Sequence, residues 1–412
     1  MKTIVEQNLI KDEILKERLA MAGQMMKEAD VEAWLVLSRE YNEDPLFHAL
    51  TPAHFPTARR ITILVLSQKN GVCENWSVSM PSVELEEYYK RDYDMKSESQ
   101  MDALTRVLRR IDPNKIAIDV SDHFAYTDGL SVGLYRMMMN GLPKDLTDRF
   151  VSADDVGIRV LETRTPKERE VFPEVMKVAM DIIARTFSDE VIVPGKTTCR
   201  DLMNYMEQEV NNLGIEYWFE PTIDLQRHDG MHTEDTVIER GDLLHCDFGV
   251  RYLNLCTDTQ RLCYVLKEDE TEIPQELLDA FKRNNRFQDI VRETMKIGRS
   301  GNDVFEESIA KAKAEGIRPM LYTHPLGFHG HAAGPTIGLY SNQNRIPVKG
   351  DLLIHNYTGY ALELNTTEYL NMYQRDTYLY TEESVLLVDD EVHFLAPDRD
   401  KIFVAGYKKQ EA

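Results

Sequence analysis

Two aspartates, Asp247 and Asp258, stand eleven positions apart in sequence that otherwise asks to be buried: Gly241-Asp-Leu-Leu-His-Cys-Asp-Phe-Gly-Val-Arg-Tyr-Leu-Asn-Leu-Cys-Thr-Asp-Thr-Gln-Arg261. The stretch reads as two strands, apolar and β-branched or aromatic enough to pair, joined by a short turn near Arg251 to Asn254. A buried carboxylate is costly unless something neutralises it, and a metal ion does so best. One aspartate in such a place could simply pair with an arginine or cap a turn. The same embedding recurs, however, at Glu363 in Tyr360-Ala-Leu-Glu-Leu-Asn365 and at Glu382 in Tyr380-Thr-Glu-Glu-Ser-Val-Leu-Leu387. Four carboxylates in sheet-like sequence cannot all be solvated, and gathered in one core they would repel strongly.

Convergence on divalent cations removes that repulsion, with one imidazole completing the set. Histidines are at hand. His324-Pro-Leu-Gly-Phe-His329-Gly-His331 packs three into eight residues, and Arg227-His228-Asp-Gly-Met-His232 precedes the aspartate hairpin. Mixed oxygen and nitrogen ligands suit Mn²⁺, Zn²⁺, Co²⁺ or Fe²⁺. Two such ions about 3.5–4 Å apart would hold a hydroxide whose parent water is acidified to a pKa near ~7, which makes hydrolysis the natural chemistry.

The rest of the chain frames these stretches. Ile14, Leu15, Leu19, Ala22, Met25 and Met26 predict an amphipathic helix over 12–30. Strand-like runs at 33–38, 60–67 and 115–121 alternate with helical patterns at 100–111 and 130–140, an α/β layer domain. No Gly-rich phosphate loop follows these strands, so nucleotide binding is not supported. The register changes near 153–170, which sets a boundary at 155/156. Beyond it the pattern is two helices (166–189, 197–213), the aspartate hairpin, two more helices (275–297, 303–315), then strands from 320 at 361–365, 377–379 and 384–388. That order predicts an α+β domain, helices over a curved antiparallel sheet.

Lys and Arg number 48 against 70 Asp and Glu, a net charge of −22, which argues against nucleic-acid and anionic-membrane partners. The five cysteines are odd in number and scattered, so they read as reduced thiols packing strand faces. The N-terminus lacks a signal-peptide core, and no run approaches the ~18 apolar residues of a membrane span. A reducing cytoplasm is the expected compartment.

The order of these residues resembles the pita-bread metallopeptidases, the methionine aminopeptidase, aminopeptidase P, prolidase and creatinase group. Asp-Phe-Gly249 followed by Thr-Asp-Thr-Gln-Arg261 is similar to that group's Asp-x-Gly…Asp-x-x-Arg block, and the histidine run and two glutamates follow in its order. The resemblance covers nearly the whole chain. It implies a creatinase/prolidase-like N-terminal domain over 1–155 and a pita-bread catalytic domain over 156–412. It further implies metal ligands Asp247, Asp258, His324, Glu363 and Glu382, holding two divalent ions, Mn²⁺ first and Zn²⁺, Co²⁺ or Fe²⁺ as alternatives. Glu363 would double as proton shuttle, and His331 would contact the scissile carbonyl. The upstream catalytic histidine would be His228 or His232, with His228 the first choice and a loop histidine facing water the alternative for both, and His245, His355 and His393 read as core or surface residues.

Departures stand beside the likeness. Thr-His-Pro-Leu-Gly327 replaces Gly-His-Gly-Ile-Gly, Glu363-Leu-Asn365 replaces Glu-Pro-Gly, and Tyr380 stands where many relatives carry arginine, the nearest here being Arg375. The expectation is a divergent Xaa-Pro aminopeptidase-like enzyme, hydrolysing the N-terminal bond of short peptides and working as a homodimer. A prolidase-like dipeptidase and a creatinase-like C–N hydrolase are the alternatives within the class, and a non-catalytic binding module is the alternative outside it.

Overall fold

The computed structural model describes residues 1–407 and divides into two compact units, Met1–Lys167 and Glu168–Ala412. The first opens with helix α1 (Ile4–Glu28), which starts earlier than periodicity predicts. The reason is a reciprocal cap: Glu6 N–H donates to Thr3 Oγ1 at 3.3 Å, and Thr3 N–H donates to Glu6 Oε2 at 2.7 Å. Its buried face carries Ile14, Leu15, Leu19, Ala22, Met25 and Met26, as the spacing predicts.

Six strands form the sheet of this unit: β1 (Ala33–Arg39), β2 (Ile61–Lys69), β3 (Val72–Val78), β4 (Lys90–Arg91), β5 (Ile116–Ile118) and β6 (Phe150–Ser152), in the order β4-β3-β2-β1-β5-β6. Strands β1, β2 and β5 fall on the expected runs. Strand β3 escapes sequence pattern because its first half is exposed or half-buried and carries Glu and Asn. Helices α2 (Gln100–Ile111) and α3 (Val132–Gly141) also match their patterns. The unit runs past residue 155 to take in α4 (Asp154–Glu162). There Gly157 leaves no room for a side chain: a Cβ would stand 2.4 Å from Thr127 and 3.5 Å from Leu46.

The second unit continues with α5 (Pro166–Thr186) and α6 (Cys199–Leu213), then α7 (Gln275–Thr294) and α8 (Gly301–Ala314). Its ten-stranded sheet holds β7 (Thr222–Arg227), β8 (Gly230–Thr233), β9 (Leu243–Phe248), β10 (Thr259–Val265), β11 (Pro319–Leu321), β12 (His324–Pro325), β13 (Thr358–Leu370), β14 (Arg375–Val388), β15 (Glu391–Phe394) and β16 (Phe403–Ala405). The path is β11-β13-β14-β10-β9-β7-β8, curled and antiparallel, with β12 on β13, β15 on β14, and β16 parallel to β10. The expected strands at 377–379 and 384–388 are one continuous strand, β14. Between β9 and β10 the chain adds a small hairpin, whose turn holds Leu253 and Asn254 at φ of 55° and 60°.

Alternation divides the two long strands cleanly. Leu362, Leu364, Val385 and Leu387 point into a core with Phe287 and Val291 of α7 and Val304 and Phe305 of α8. The residues between them, Ala361, Glu363, Glu382 and Ser384, therefore share the opposite face. Among the described residues no helix is long and apolar enough to cross a membrane.

Candidate metal centre

Register assembles the site. Across four neighbouring strands Asp247 of β9 stands opposite Gln260 of β10, Gln260 opposite Glu382 of β14, and Glu382 opposite Glu363 of β13. Neighbouring strands lie about 4.8 Å apart, so this single row forces three carboxylates together. The adjacent row supplies the rest. His324 of β12 pairs with Ala361, Ala361 with Ser384, and Asp258 N–H donates to Ser384 Oγ at 3.1 Å. Small side chains at 361 and 384 leave the space between His324 and Asp258 open.

His324 Nε2 lies 3.4 Å from Asp258 Oδ2, 3.8 Å from Glu382 Oε1 and 4.0 Å from Glu363 Oε2. Asp258, His324 and Glu382 each offer one ligand atom, all within 4.8 Å of one another. The other ring nitrogen, Nδ1, donates to the Pro325 carbonyl at 2.9 Å. That bond aims Nε2 at the carboxylates; burial alone would lower the His324 pKa, but Asp258 and Glu363 raise it above the ordinary imidazole value. A divalent cation would take the place of that proton, and the backbone carbonyl is the orienting partner a metal-binding histidine needs. Pro325 costs a backbone N–H here, but its carbonyl does the orienting.

The carboxylates tell the same story. Asp247 Oδ1, Asp258 Oδ1 and both oxygens of Glu382 are buried with no hydrogen-bond partner. Burial, then repulsion from Asp258 and Glu363, drives both Asp247 and Glu382 far above the usual carboxylate range. Burial raises Glu363 to about 7, against the pull of His324. Oxygens buried without donors, converging on one imidazole nitrogen, fit a hard divalent ion.

From the far face Arg261 braces the row. It donates to the Glu382 carbonyl at 2.9 Å and pairs with the buried Glu383 at 2.8 Å. The tandem Glu382-Glu383 is thus split by alternation, one acid to the site and one to an arginine.

His331 lies at the edge of the centre, its ring 4.7 Å from His324 and 5.2 Å from Trp218. Partial enclosure and the neighbouring His324 hold its pKa below the ordinary imidazole value. Trp218 is fixed by donating to the Thr257 carbonyl at 2.8 Å. It fits only because Gly249 and Gly330 lack side chains: a Cβ at either would come within 2.3 Å of its ring.

His228 is not brought to this centre. It is exposed in the turn between β7 and β8, six positions along from Thr222, the residue opposite Asp247, so roughly 20 Å of strand separates them. His232 is likewise in that hairpin, bonded to Asp229 at 2.8 Å. The buried imidazole on this side is instead His245, two residues before Asp247 on the same face of β9. It bonds Asp224 at 2.7 Å and Gln260 at 3.0 Å, and Gln260 donates to Glu363 at 2.6 Å. Burial alone would lower the His245 pKa, but the Asp224 carboxylate raises it above the ordinary value. A spacing of two from each aspartate was the available signal for His245 and Gln260. Trp218 had none.

The model of metallopeptidase family M24 matches residues 174–381. Among solved structures, the X-Pro aminopeptidase from Thermotoga maritima is similar at 18% identity, covering 92% of this chain and 99% of that one with a TM-score of 0.66. The Xaa-Pro dipeptidase from Bacillus anthracis is similar at 15% identity, 95% and 99% coverage and a TM-score of 0.64. The N-terminal domain of FACT complex subunit SPT16 from Cicer arietinum (chickpea) is similar at 12% identity, 97% and 99% coverage and a TM-score of 0.61. No curated protein matches the chain in sequence. At these identities the structural likenesses speak to fold.

Proposed function

The chain belongs to metallopeptidase family M24 and has its pita-bread fold, and from that premise we propose that it is an exopeptidase releasing the N-terminal residue of short peptides whose second residue is proline. The observation that carries the reading is the cluster of Asp258, His324 and Glu382, whose ligand atoms lie within 4.8 Å of one another, together with the buried, donor-less oxygens of Asp247, Asp258 and Glu382. Asp247, Asp258, His324, Glu363 and Glu382 would hold two divalent ions, with Mn²⁺ the first to try. When bound, such ions supply Lewis acidity and an acidified water.

The chain's own residues supply the rest. Glu363 would take the proton from the attacking water and pass it to the leaving amine. His331, kept neutral and braced by Trp218, donates an N–H to the scissile carbonyl oxygen as negative charge develops there. Tyr380, its ring 5.1 Å from that of His245, places an uncharged phenol rather than an arginine two residues before Glu382. That favours a peptide running on past proline over a dipeptide whose free carboxylate needs a nearby cation. The first unit is the creatinase/prolidase-type domain of this reading, and a cytoplasmic homodimer its setting.

The test is release of the N-terminal residue from an Xaa-Pro-Yaa tripeptide by metal-stripped protein, with and without Mn²⁺. Metal-dependent release of Xaa supports the proposal. Cleavage confined to Xaa-Pro dipeptides transfers it to a dipeptidase. A protein that binds Mn²⁺ and cleaves neither is no Xaa-Pro peptidase.

A further inference from the structure

We infer that Asp224, His245 and Gln260 form a positioning chain that presents one chosen oxygen of Glu363 to the metal centre. The links are Asp224 Oδ2 to His245 Nδ1 at 2.7 Å, His245 Nε2 to Gln260 Oε1 at 3.0 Å, and Gln260 Nε2 to Glu363 Oε1 at 2.6 Å. Their direction follows from donor and acceptor chemistry. A carboxylate accepts, so Gln260 turns its NH₂ to Glu363 and its oxygen to His245 Nε2, while His245 Nδ1 faces the Asp224 carboxylate.

The consequence is selective. Glu363 Oε1 is occupied by the Gln260 amide, and Oε2 is left 4.0 Å from His324 Nε2, on the side of the centre. A glutamine held at one end only could turn its oxygen toward Glu363 and repel it. His245 holds the amide at its other end, with Nε2 3.0 Å from Gln260 Oε1. His245 is itself anchored at Nδ1 by Asp224 and flanked by the Tyr380 ring at 5.1 Å.

Register makes the chain a feature of the sheet rather than of loose side chains. Asp224 stands opposite His245 across β7 and β9, and Gln260 stands between Asp247 and Glu382 in the ligand row. His245 and Gln260 are 6% and 3% exposed, so solvent cannot substitute for either. These three are positioning residues acting through Glu363. The kinetic side of the inference rests on the peptidase reading above, and the ion-binding side does not.

The experiment compares wild type with Gln260→Leu, His245→Leu, the double variant, and the conservative His245→Gln, whose amide can still donate toward Gln260. Outer partners of metal ligands are worth about 10–100-fold in affinity or activity. Gln260→Leu and His245→Leu are each expected to lower kcat by that factor, with KM changed less than about threefold, and to weaken Mn²⁺ binding in equilibrium dialysis. The double variant is expected to be no worse than Gln260→Leu alone, because one chain is broken once. His245→Gln is expected to recover most of the loss.

Losses that multiply in the double variant, a change in KM alone, or a natively folded His245→Gln as poor as His245→Leu would overturn the inference. Should His245→Leu fail to fold, His245→Gln and Asp224→Asn carry the test: wild-type ion affinity in Gln260→Leu together with full kcat in Asp224→Asn sinks it. If the wild-type protein binds Mn²⁺ but cleaves no peptide, the peptidase reading falls and the chain stands or falls on dialysis.

Discussion

Each unit of this protein buries carboxylates against one another, and each handles the cost differently. In the first unit Asp44 and Asp119, both 1% exposed, are buried side by side. Asp44 Oδ1 accepts from Leu46 N–H at 2.9 Å, and Asp119 Oδ1 accepts from Trp34 Nε1 at 2.9 Å. Their Oδ2 atoms have no donor. A single shared proton satisfies such a pair. Accordingly burial lifts Asp44 to about 7, and burial with Asp44 beside it lifts Asp119 well above the usual carboxylate range. The second unit gathers four carboxylates, leaves four of their oxygens without donors and sets an imidazole among them. One proton cannot satisfy that set, but divalent cations can. The number of acids and the presence of a nitrogen ligand separate a proton-held pair from a metal centre.

The largest test of this contrast is removal of a ligand. Asp258→Asn or Glu382→Gln is expected to lower kcat/KM on Xaa-Pro-Yaa by about a thousandfold or more, the several kcal/mol a catalytic ion supplies. Asp119→Asn should leave it within about threefold, and steady-state kinetics on the three variants decides. Next is stability. Mn²⁺ at a hundred times its Kd should stabilise the protein by about 2.7 kcal/mol in urea unfolding. That gain should vanish in Asp258→Asn and persist in Asp44→Asn. If Asp44→Asn abolished it, the proton-held pair would be a second ion site and the contrast would break.

The third test is pH. An aspartate whose folded pKa stands near 7 against 3.8 unfolded stabilises the fold fully below 3.8. The contribution is lost as pH rises toward 7, because the unfolded chain releases its proton first. Hydrogen exchange of β1 amides in the metal-loaded chain should therefore show stability falling between pH 4 and 7, by at most ~1.4 kcal/mol per pH unit per proton. Asp44→Asn should flatten that slope. The smallest expected effect is at the exposed turn: His228→Ala should leave kcat/KM within about twofold, as surface changes do. A hundredfold loss there would place His228 in the site after all.

How much of this was legible beforehand depends on the range of the signal. Local patterns carried far. The apolar face of α1, the bounds of α2 and the acids Asp247, Glu363 and Glu382 embedded in strands were all readable, because helix and strand periods repeat within a few residues. Where a local signal was polar on both faces, it misled. Tyr380-Thr-Glu-Glu383 reads as a break between two strands, yet β14 runs through it, since Glu382 turns to the metal centre and Glu383 to Arg261.

By itself, then, the sequence determined that Asp247, Asp258, Glu363 and Glu382 needed a shared counter-charge, and that a histidine from the 324–331 run was there to join them. Only the tertiary structure decided which side chains stand beside them. His245 and Gln260 stand beside these acids and His228 does not, because register between strands far apart in the chain sets those neighbours. A one-residue slip of β10 against β9 would turn Gln260 to the opposite face and leave Glu363 unheld. Alternation within a strand says which face a residue takes, and only pairing between strands says what it meets there.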